Sequence, residues 1–546
     1  MTRNTGLNPA STSHRRGMPV FILLVLASLF ILAVDNATFF SRAQLVFAGN
    51  PVGLVTYGGV GFATILFSLA LLSVPGLEKP VVALLLILSA ATAYFQDTLG
   101  ATIDRDMVQN AFDSEWMQTR HLLTFDLIRH VALYGVLPAV VVLWLRLSAP
   151  PLWRRLLVWL LTAAGAFALF LGLLFTDFKT YSAVVREHQE LAWSLQPGAP
   201  LSGAFGFAKM IYRSRDIVLQ PIGLDAHKSP ALLQAGKPVV TIVVAGETSR
   251  AANFSLNGYG RNTNPELTAR NVIYFTNVTS CGTATAVSLP CMFSLLTRDT
   301  YSYGAGRSQE NLMDVLMRAG EKIHWFDANG GHLGVADRVP FTLLYQWDDP
   351  LSCAKGECED SIAFKPLQDM LDTATEDTVI ILHTMGSHGP AYYLRYPPDF
   401  EPFAPACQTA TFGDCTNQEI VNAYDNTIAY TDKFLSSVID LLARQDNVIA
   451  SMVYVSDHGE SLGENGLYLH GAPYFLAPPE QTHVPMVMWF SDAYKAAFGL
   501  DEACVRAKTA EPFSHDNLFH TVLGMAGVET AVHQAPLDII DSCKQG

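Results

Sequence analysis

The chain has 546 residues, with 35 Lys and Arg against 50 Asp and Glu, a formal net charge of −15 and a pI near 5.4. Such an acidic balance excludes a nucleic-acid binder working through a basic face. Charged residues amount to 16%, hydrophobic residues to 50% and mean hydropathy is +0.23, which excludes disorder and points to a chain partly embedded in a membrane.

The apolar surplus lies in the first third. Five stretches are long, apolar and nearly uncharged enough to span a bilayer. They are Gly17–Val34, Val52–Pro75, Pro80–Gln96, Val131–Leu145 and Leu156–Thr176. The fourth is short, but Arg129 and Arg146 at its ends can snorkel. Arg15 and Arg16 ahead of the first run also suit a signal peptide, yet Asp35-Asn36-Ala37 leads into Phe39-Phe40 without a small-residue cleavage site. An uncleaved anchor is expected. With the N-terminus in the cytoplasm, the inner segments hold Arg3, Arg15, Arg16, Lys79, Arg146, Arg154 and Arg155, and the outer ones Arg42, Arg105, Arg120 and Arg129. An odd number of spans puts everything after Thr176 outside.

Between the third and fourth spans, Thr102–Phe125 has helical spacing. Met107, Ala111 and Phe112 share one face, and Asn110, Ser114 and Gln118 another at i, i+4 and i+8. By itself this is an interfacial amphipathic helix. Phe178–Leu224, with turns at Gln196-Pro197-Gly198 and Ala199-Pro200, reads as a linker with helices on the membrane surface. The expected organisation is a transmembrane part over 1–176, a linker over 177–236 and an outer domain over 237–546.

All eight cysteines lie in that outer domain. An even set without the paired CxxC spacing of a zinc ribbon suits disulfides in an oxidising compartment. Cys281/Cys291, Cys353/Cys358 and Cys407/Cys415 are the natural local pairs, leaving Cys504 and Cys543, although spacing alone does not fix the connectivity.

Short β-branched runs recur in the outer domain at Pro238–Ala245, Val272–Phe275, Lys322–Phe326, Thr378–Leu382, Ile449–Val455 and Val484–Phe490. Helix-like stretches at Ser308–Ala319, Gln418–Ala443 and Pro512–Met525 separate some of them. This alternation implies an α/β domain with a mostly parallel sheet covered by helices. Ligands in such sheets gather beyond the C-terminal strand ends. Three of these ends deliver Glu247, then His383 and His388, then Asp457 and His458, with His470 a short loop later. One Asp-His after a strand is an ordinary turn or cap. Three converging ends assemble carboxylates and imidazoles, a zinc ligand set that also admits manganese or magnesium. Thr285 stands near a helix N-terminus, where backbone N–H groups favour phosphate; Thr283 and Thr285 also suit simple helix caps. A metal would turn such a hydroxyl into a nucleophile.

The phrases VVAGETSRAANFSLNGYGRNTNPEL (243–267), TSCGTATAVSLPCMFS (279–294), HTMGSHGPAYYLRYP (383–397) and SDHGESLGENGLYLHGAP (456–473) resemble the lipid A phosphoethanolamine transferases, including the polymyxin-resistance enzymes, of the alkaline phosphatase/sulfatase superfamily. The resemblance implies a five-helix transmembrane part with a periplasmic α/β domain, anchored as a monomer in the bacterial inner membrane. It implies transfer of phosphoethanolamine from phosphatidylethanolamine to a lipid A phosphate through a phosphoethanolamine-threonine at Thr285, which masks charge against cationic peptides. Glu247, Thr285, Asp457 and His458 would hold one zinc. His388 and His470 would bind the transferred phosphate, a second zinc or the acceptor, with His383 structural. Asn110, Ser114 and Gln118 stand where the family has Asn, Thr and Glu for the donor head group, so Gln118 lacks the charge that would pair with an ammonium. Where the family carries a Cys-Lys pair and a second Cys, this chain has His332, Leu333 and Ala336. A family Asn is also replaced by Ala328, and His332 is the available substitute for the lysine. The rival readings are transfer to a core sugar or periplasmic glucan, a related phosphatase or sulfatase, and an inactive membrane scaffold. Retention of all four metal-site residues disfavours the last.

Overall fold

The computed structural model describes residues 17–545 apart from 115, 348 and 354. Arg3, Arg15 and Arg16, used above for orientation, lie outside the described residues. The chain forms two compact units. One comprises the residues up to Asp97 with Asp126–Ala199, and the other Thr98–Phe125 with Pro200–Gly546. The expected boundaries at 176 and 236 therefore fall inside units. The physical reason on the membrane side is a buried polar network. Asn36 Nδ2 donates to the Ile31 and Gln196 carbonyls at 3.0 and 3.3 Å, Thr92 Oγ1 to Gln196 Oε1 at 2.7 Å, and Gln96 Nε2 to the Ser194 carbonyl at 3.0 Å.

Pro51–Leu72, Glu78–Leu99, Phe125–Trp144 and Leu152–Thr176, all but a residue or two of them in the first unit, are long and apolar enough to cross a membrane. The first expected span is not one straight helix. Val20–Val34 is followed by Ala37–Val46 at a bend of 68°, so the count is four spans, or five where this bent pair is one broken span. Fifteen helical residues reach only about 22 Å at 1.5 Å each, short of the ~30 Å hydrocarbon layer. The fourth span is longer than expected, because Phe125, Leu127 and Ile128 extend its apolar run toward the N-terminus.

The second unit is built on a seven-stranded sheet: β1 (Val239–Gly246), β2 (Ile273–Phe275), β3 (Lys322–Asp327), β4 (Phe341–Leu343), β5 (Thr378–His383), β6 (Ile449–Ser456) and β7 (Met486–Phe490). The spatial order is β2-β7-β6-β1-β5-β3-β4. Only β7 runs against its two neighbours; the other paired strands of this sheet are parallel. β1 is buried throughout because both faces are covered. Val239, Val243 and Ala245 enter one core with Phe519, Val522 and Leu523 of helix Leu518–Met525. Val240, Ile242 and Val244 enter the other with Tyr424, Phe434 and Val438 of helix Asn417–Ala443. That long helix begins at a capping box of Thr416 and Glu419. The stretch expected as helix over Pro512–Met525 starts later, because Phe513–Ser514 instead pairs in parallel with Val278–Thr279.

Register decides where the chemistry lies. Gly246 is opposite Ser456, Ala245 opposite His383, and Asp327 opposite His383. Four neighbouring strands thus end level on one edge. Four disulfides, Cys281–Cys291, Cys353–Cys358, Cys407–Cys415 and Cys504–Cys543, staple this unit, and no free cysteine remains among the described residues.

Candidate active site

Glu247 follows β1, Asp457 and His458 follow β6, and Thr285 opens the helix Thr285–Met292, so three segments bring four polar side chains to the sheet edge. Thr285 Oγ1 lies 3.0 Å from Glu247 Oε2 and 3.2 Å from His458 Nε2. His458 Nε2 is 3.5 Å from Glu247 Oε1 and 3.3 Å from Asp457 Oδ2. Glu247, Asp457 and His458 are fully buried.

The backbone fixes these groups. Asp457 Oδ1 accepts the N–H groups of Thr248 and His458 at 3.1 and 2.7 Å. Asp457 Oδ2 is left without a hydrogen-bond partner. Thr248 sits at φ +57°, a strained conformation for a β-branched residue, and its hydroxyl bonds Glu247 Oε1. His458 Nδ1 pairs with the Gly459 carbonyl at 2.9 Å, which makes Nδ1 the protonated nitrogen and leaves the Nε2 lone pair toward the carboxylates. Burial drives the His458 pKa down to about 3, so the ring is neutral. Burial followed by repulsion from Glu247 drives Asp457 well up. Burial alone would raise Glu247, but the three histidines around it outweigh that and hold it at about 2. A neutral imidazole lone pair and two crowded carboxylates therefore converge on one point, and the repulsion that drives Asp457 up is what a divalent cation there would relieve. Their ligand atoms all lie within 4.8 Å of one another.

His388 and His470 border this centre. The His388 and His470 rings are 5.7 Å apart, and His458 and His470 rings 4.4 Å. Gly386 lets the His388 loop approach, since at φ +51° a Cβ there would stand 2.6 Å from the Glu247 carbonyl oxygen. Met385 and Gly386 N–H groups donate to the Asp360 carboxylate at 2.6 and 3.0 Å. His388 Nδ1 is buried without a partner, and burial pushes its pKa down to about 4. His470 is different: burial lowers its pKa, but Glu460, 3.3 Å from Nδ1, prevails and raises it.

The structure adds residues that strand-end reasoning missed. His383 is the last residue of β5, and its Nδ1 meets Asp327 Oδ2, at the end of β3, at 2.9 Å. Asn329 Nδ2 donates to Glu247 Oε2 at 2.8 Å. The level strand register was the available signal for Asp327; Asn329 lies in a loop with no periodicity to mark it. Glu357, inside the Cys353–Cys358 loop, binds Arg395 and Arg120 at 2.8 Å each, together with His121. Arg395 Nε then donates to the His388 carbonyl at 3.0 Å.

A small, solvent-open pocket lies beside Thr285. Asn110 and Ser114 line it, whereas Gln118 falls on the separate helix Trp116–Thr119 and its side chain lies outside the described set. The expected i, i+4, i+8 face is broken because helix Arg105–Asp113 ends at Ser114, which is extended at ψ 136°. His332 does not replace the lysine. It lies 3.7 Å from Asp337 and against the Phe341 ring, and the cavity wall is Leu333.

Residues 240–528 match the Sulfatase family, and residues 61–212 match the family described as Phosphoethanolamine transferase EptA/EptB. The phosphoethanolamine transferase EptA of Escherichia coli K12 is 39% identical over 97% of this chain and 98% of its own length. The phosphatidylethanolamine transferase Mcr-1 of Escherichia coli is 36% identical over 88% of this chain and 91% of its own. The solved structure of the integral membrane lipooligosaccharide phosphoethanolamine transferase A of Neisseria meningitidis covers 97% of this chain and all of that one, with 34% identity and a TM-score of 0.93. The fold and the full-length likeness define one class, the sulfatase/alkaline phosphatase superfamily. Within it, the chain belongs to the EptA/Mcr family of phosphoethanolamine transferases.

Proposed function

We propose that this protein is a membrane-anchored, periplasm-facing phosphoethanolamine transferase that moves the head group of phosphatidylethanolamine onto a phosphate of lipid A through Thr285. The observation that carries the reading is the meeting of the Thr285 hydroxyl with Glu247, Asp457 and His458 at one buried edge.

Glu247, Asp457, His458 and Thr285 Oγ1 fit a single zinc by donor type, one imidazole nitrogen with oxygens, and by the unpartnered Asp457 Oδ2. Bound there, zinc would supply Lewis acidity that lowers the hydroxyl pKa and neutralises charge on phosphoryl oxygens. Glu247 Oε2 accepts the Thr285 proton at 3.0 Å and fixes the oxygen for attack. Thr285 Oγ1 then forms a bond to the donor phosphorus as the bond to the diacylglycerol oxygen breaks, and that oxygen takes up a proton from His470, which Glu460 favours in its protonated form, rather than from His388, whose depressed pKa leaves it neutral. A lipid A phosphate oxygen next attacks the same phosphorus and displaces Thr285 Oγ1, which regains its proton. The helix N-terminus at Thr285 favours the anionic phosphoryl group in both steps.

Mass spectrometry of lipid A from cells with and without the gene tests this reading. One added phosphoethanolamine on lipid A is expected. Addition only to a core sugar or glucan would replace lipid A as the acceptor, and no addition anywhere would overturn the reading.

A further inference from the structure

We propose that Asp113 is the carboxylate that recognises the ammonium of the donor head group and so sets donor specificity. The inference rests on the transferase reading above. Two carbons separate the transferred phosphate from the ammonium in phosphoethanolamine, so a head group anchored at Thr285 carries its positive end to a wall of the adjoining cavity. The same pocket is lined by Thr285, His383 and His388 and also by Asn110, Asp113 and Ser114. Asp113 is the one carboxylate among its lining residues, and no lysine or arginine lines it.

Asp113 is held there by a built contact. Gln109, buried to 3% exposure, donates from Nε2 to Asp113 Oδ2 at 3.3 Å and to the Ala286 carbonyl at 3.2 Å. Ala286 follows the nucleophile. Its carbonyl is the one that Pro290, four residues on in the same helix, cannot engage for want of an N–H. One amide therefore ties the acidic wall to a carbonyl that the nucleophile's own helix leaves open. Asp113 closes its helix and remains exposed at the cavity, within reach of an incoming ammonium. Partial desolvation by its neighbours raises its pKa, and the Gln109 hydrogen bond and then the Arg307 charge offset that rise only in part. Arg307 itself stacks over Tyr303. The remaining polar walls, Asn110, Ser114 and Asn329, orient without charge and do not distinguish an ammonium from a hydroxyl of similar size.

The test uses the full-length protein with two donors of equal acyl composition, phosphatidylethanolamine and phosphatidylglycerol, and follows diacylglycerol release. The wild type is expected to prefer phosphatidylethanolamine. Asp113→Asn should raise KM for phosphatidylethanolamine and shrink that preference in kcat/KM by about tenfold, the scale of one charge-assisted hydrogen bond. Asp113→Glu should retain the preference and Asp113→Lys should invert it. A structural role alone would slow both donors equally. Wild-type preference in both Asp113→Asn and Asp113→Lys, or equal wild-type rates on the two lipids, would overturn the proposal. Release from neither lipid by the wild type would instead overturn the transferase reading, and this inference with it.

Discussion

Opening the disulfides one pair at a time should produce a graded loss of stability set by how much chain each bridge encloses. The separations are 5 residues for Cys353–Cys358, 8 for Cys407–Cys415, 10 for Cys281–Cys291 and 39 for Cys504–Cys543, which by loop-closure entropy correspond to about 2.1, 2.5, 2.7 and 3.9 kcal/mol. Together they amount to about 11 kcal/mol, comparable to the whole stability of an ordinary domain, roughly 5–15 kcal/mol. Any single double-serine variant should therefore still fold, whereas full reduction should unfold the catalytic unit. Urea unfolding of the full-length protein in detergent measures the series, with Trp325, fully buried against Phe293 and His383, as a reporter inside this unit. Cys281→Ser/Cys291→Ser should also lose turnover beyond its loss of stability, because that loop carries Thr285. A Cys353/Cys358 variant as damaged as the Cys504/Cys543 variant would refute the chain-length reasoning. Eight titratable thiols in the denatured, unreduced protein would refute the bridges themselves.

Thr285→Ala should lower turnover by about 10⁴-fold or more with the melting profile unchanged, since alanine suits a helix and only the nucleophile is removed. Undiminished lipid A product would refute the assignment. Asp457→Asn and Glu247→Gln should each lower the zinc that copurifies, read by elemental analysis; wild-type zinc content in both would remove the proposed ligand set. Burial alone would raise the Glu357 pKa, but His121, Arg395 and Arg120 outweigh it and hold it at about 2 against 4.5 when unfolded. A depressed carboxylate stabilises fully above the unfolded value and loses that contribution as pH falls through 4.5 toward 2, a difference on the order of 3 kcal/mol. Glu357→Gln should therefore flatten the acid limb of the stability curve, and an unaltered limb would show that the cluster contributes nothing.

The strand pattern was legible because a strand buried on both faces is written as a continuous β-branched run, as in Val239–Gly246. Glu247, Asp457 and His458 were legible because each directly follows such a run. Thr285 was marked by its place in a short Gly-Thr-Ala-Thr turn. Residues brought in by non-local contact were harder. Asp327 ends a strand but reveals its partner His383 only through register, and Glu357 reaches the His388 loop through Arg395. The bend at Asp35-Asn36 was hidden because hydropathy does not record direction. The break at Ser114 was hidden too, because helical spacing persists in the sequence even where the backbone turns extended.

The chain passes between its two compact units after Asp97, after Phe125 and after Ala199, so the catalytic body is not one uninterrupted stretch of sequence. A fragment beginning at residue 200 would keep Glu247, Thr285, Asp457 and His458 but would be cut free of Asn110, Asp113 and Ser114. Such an excised domain would retain the proposed nucleophile while losing part of the proposed donor vestibule, so small soluble esters and intact phospholipids should part company as substrates at that cut.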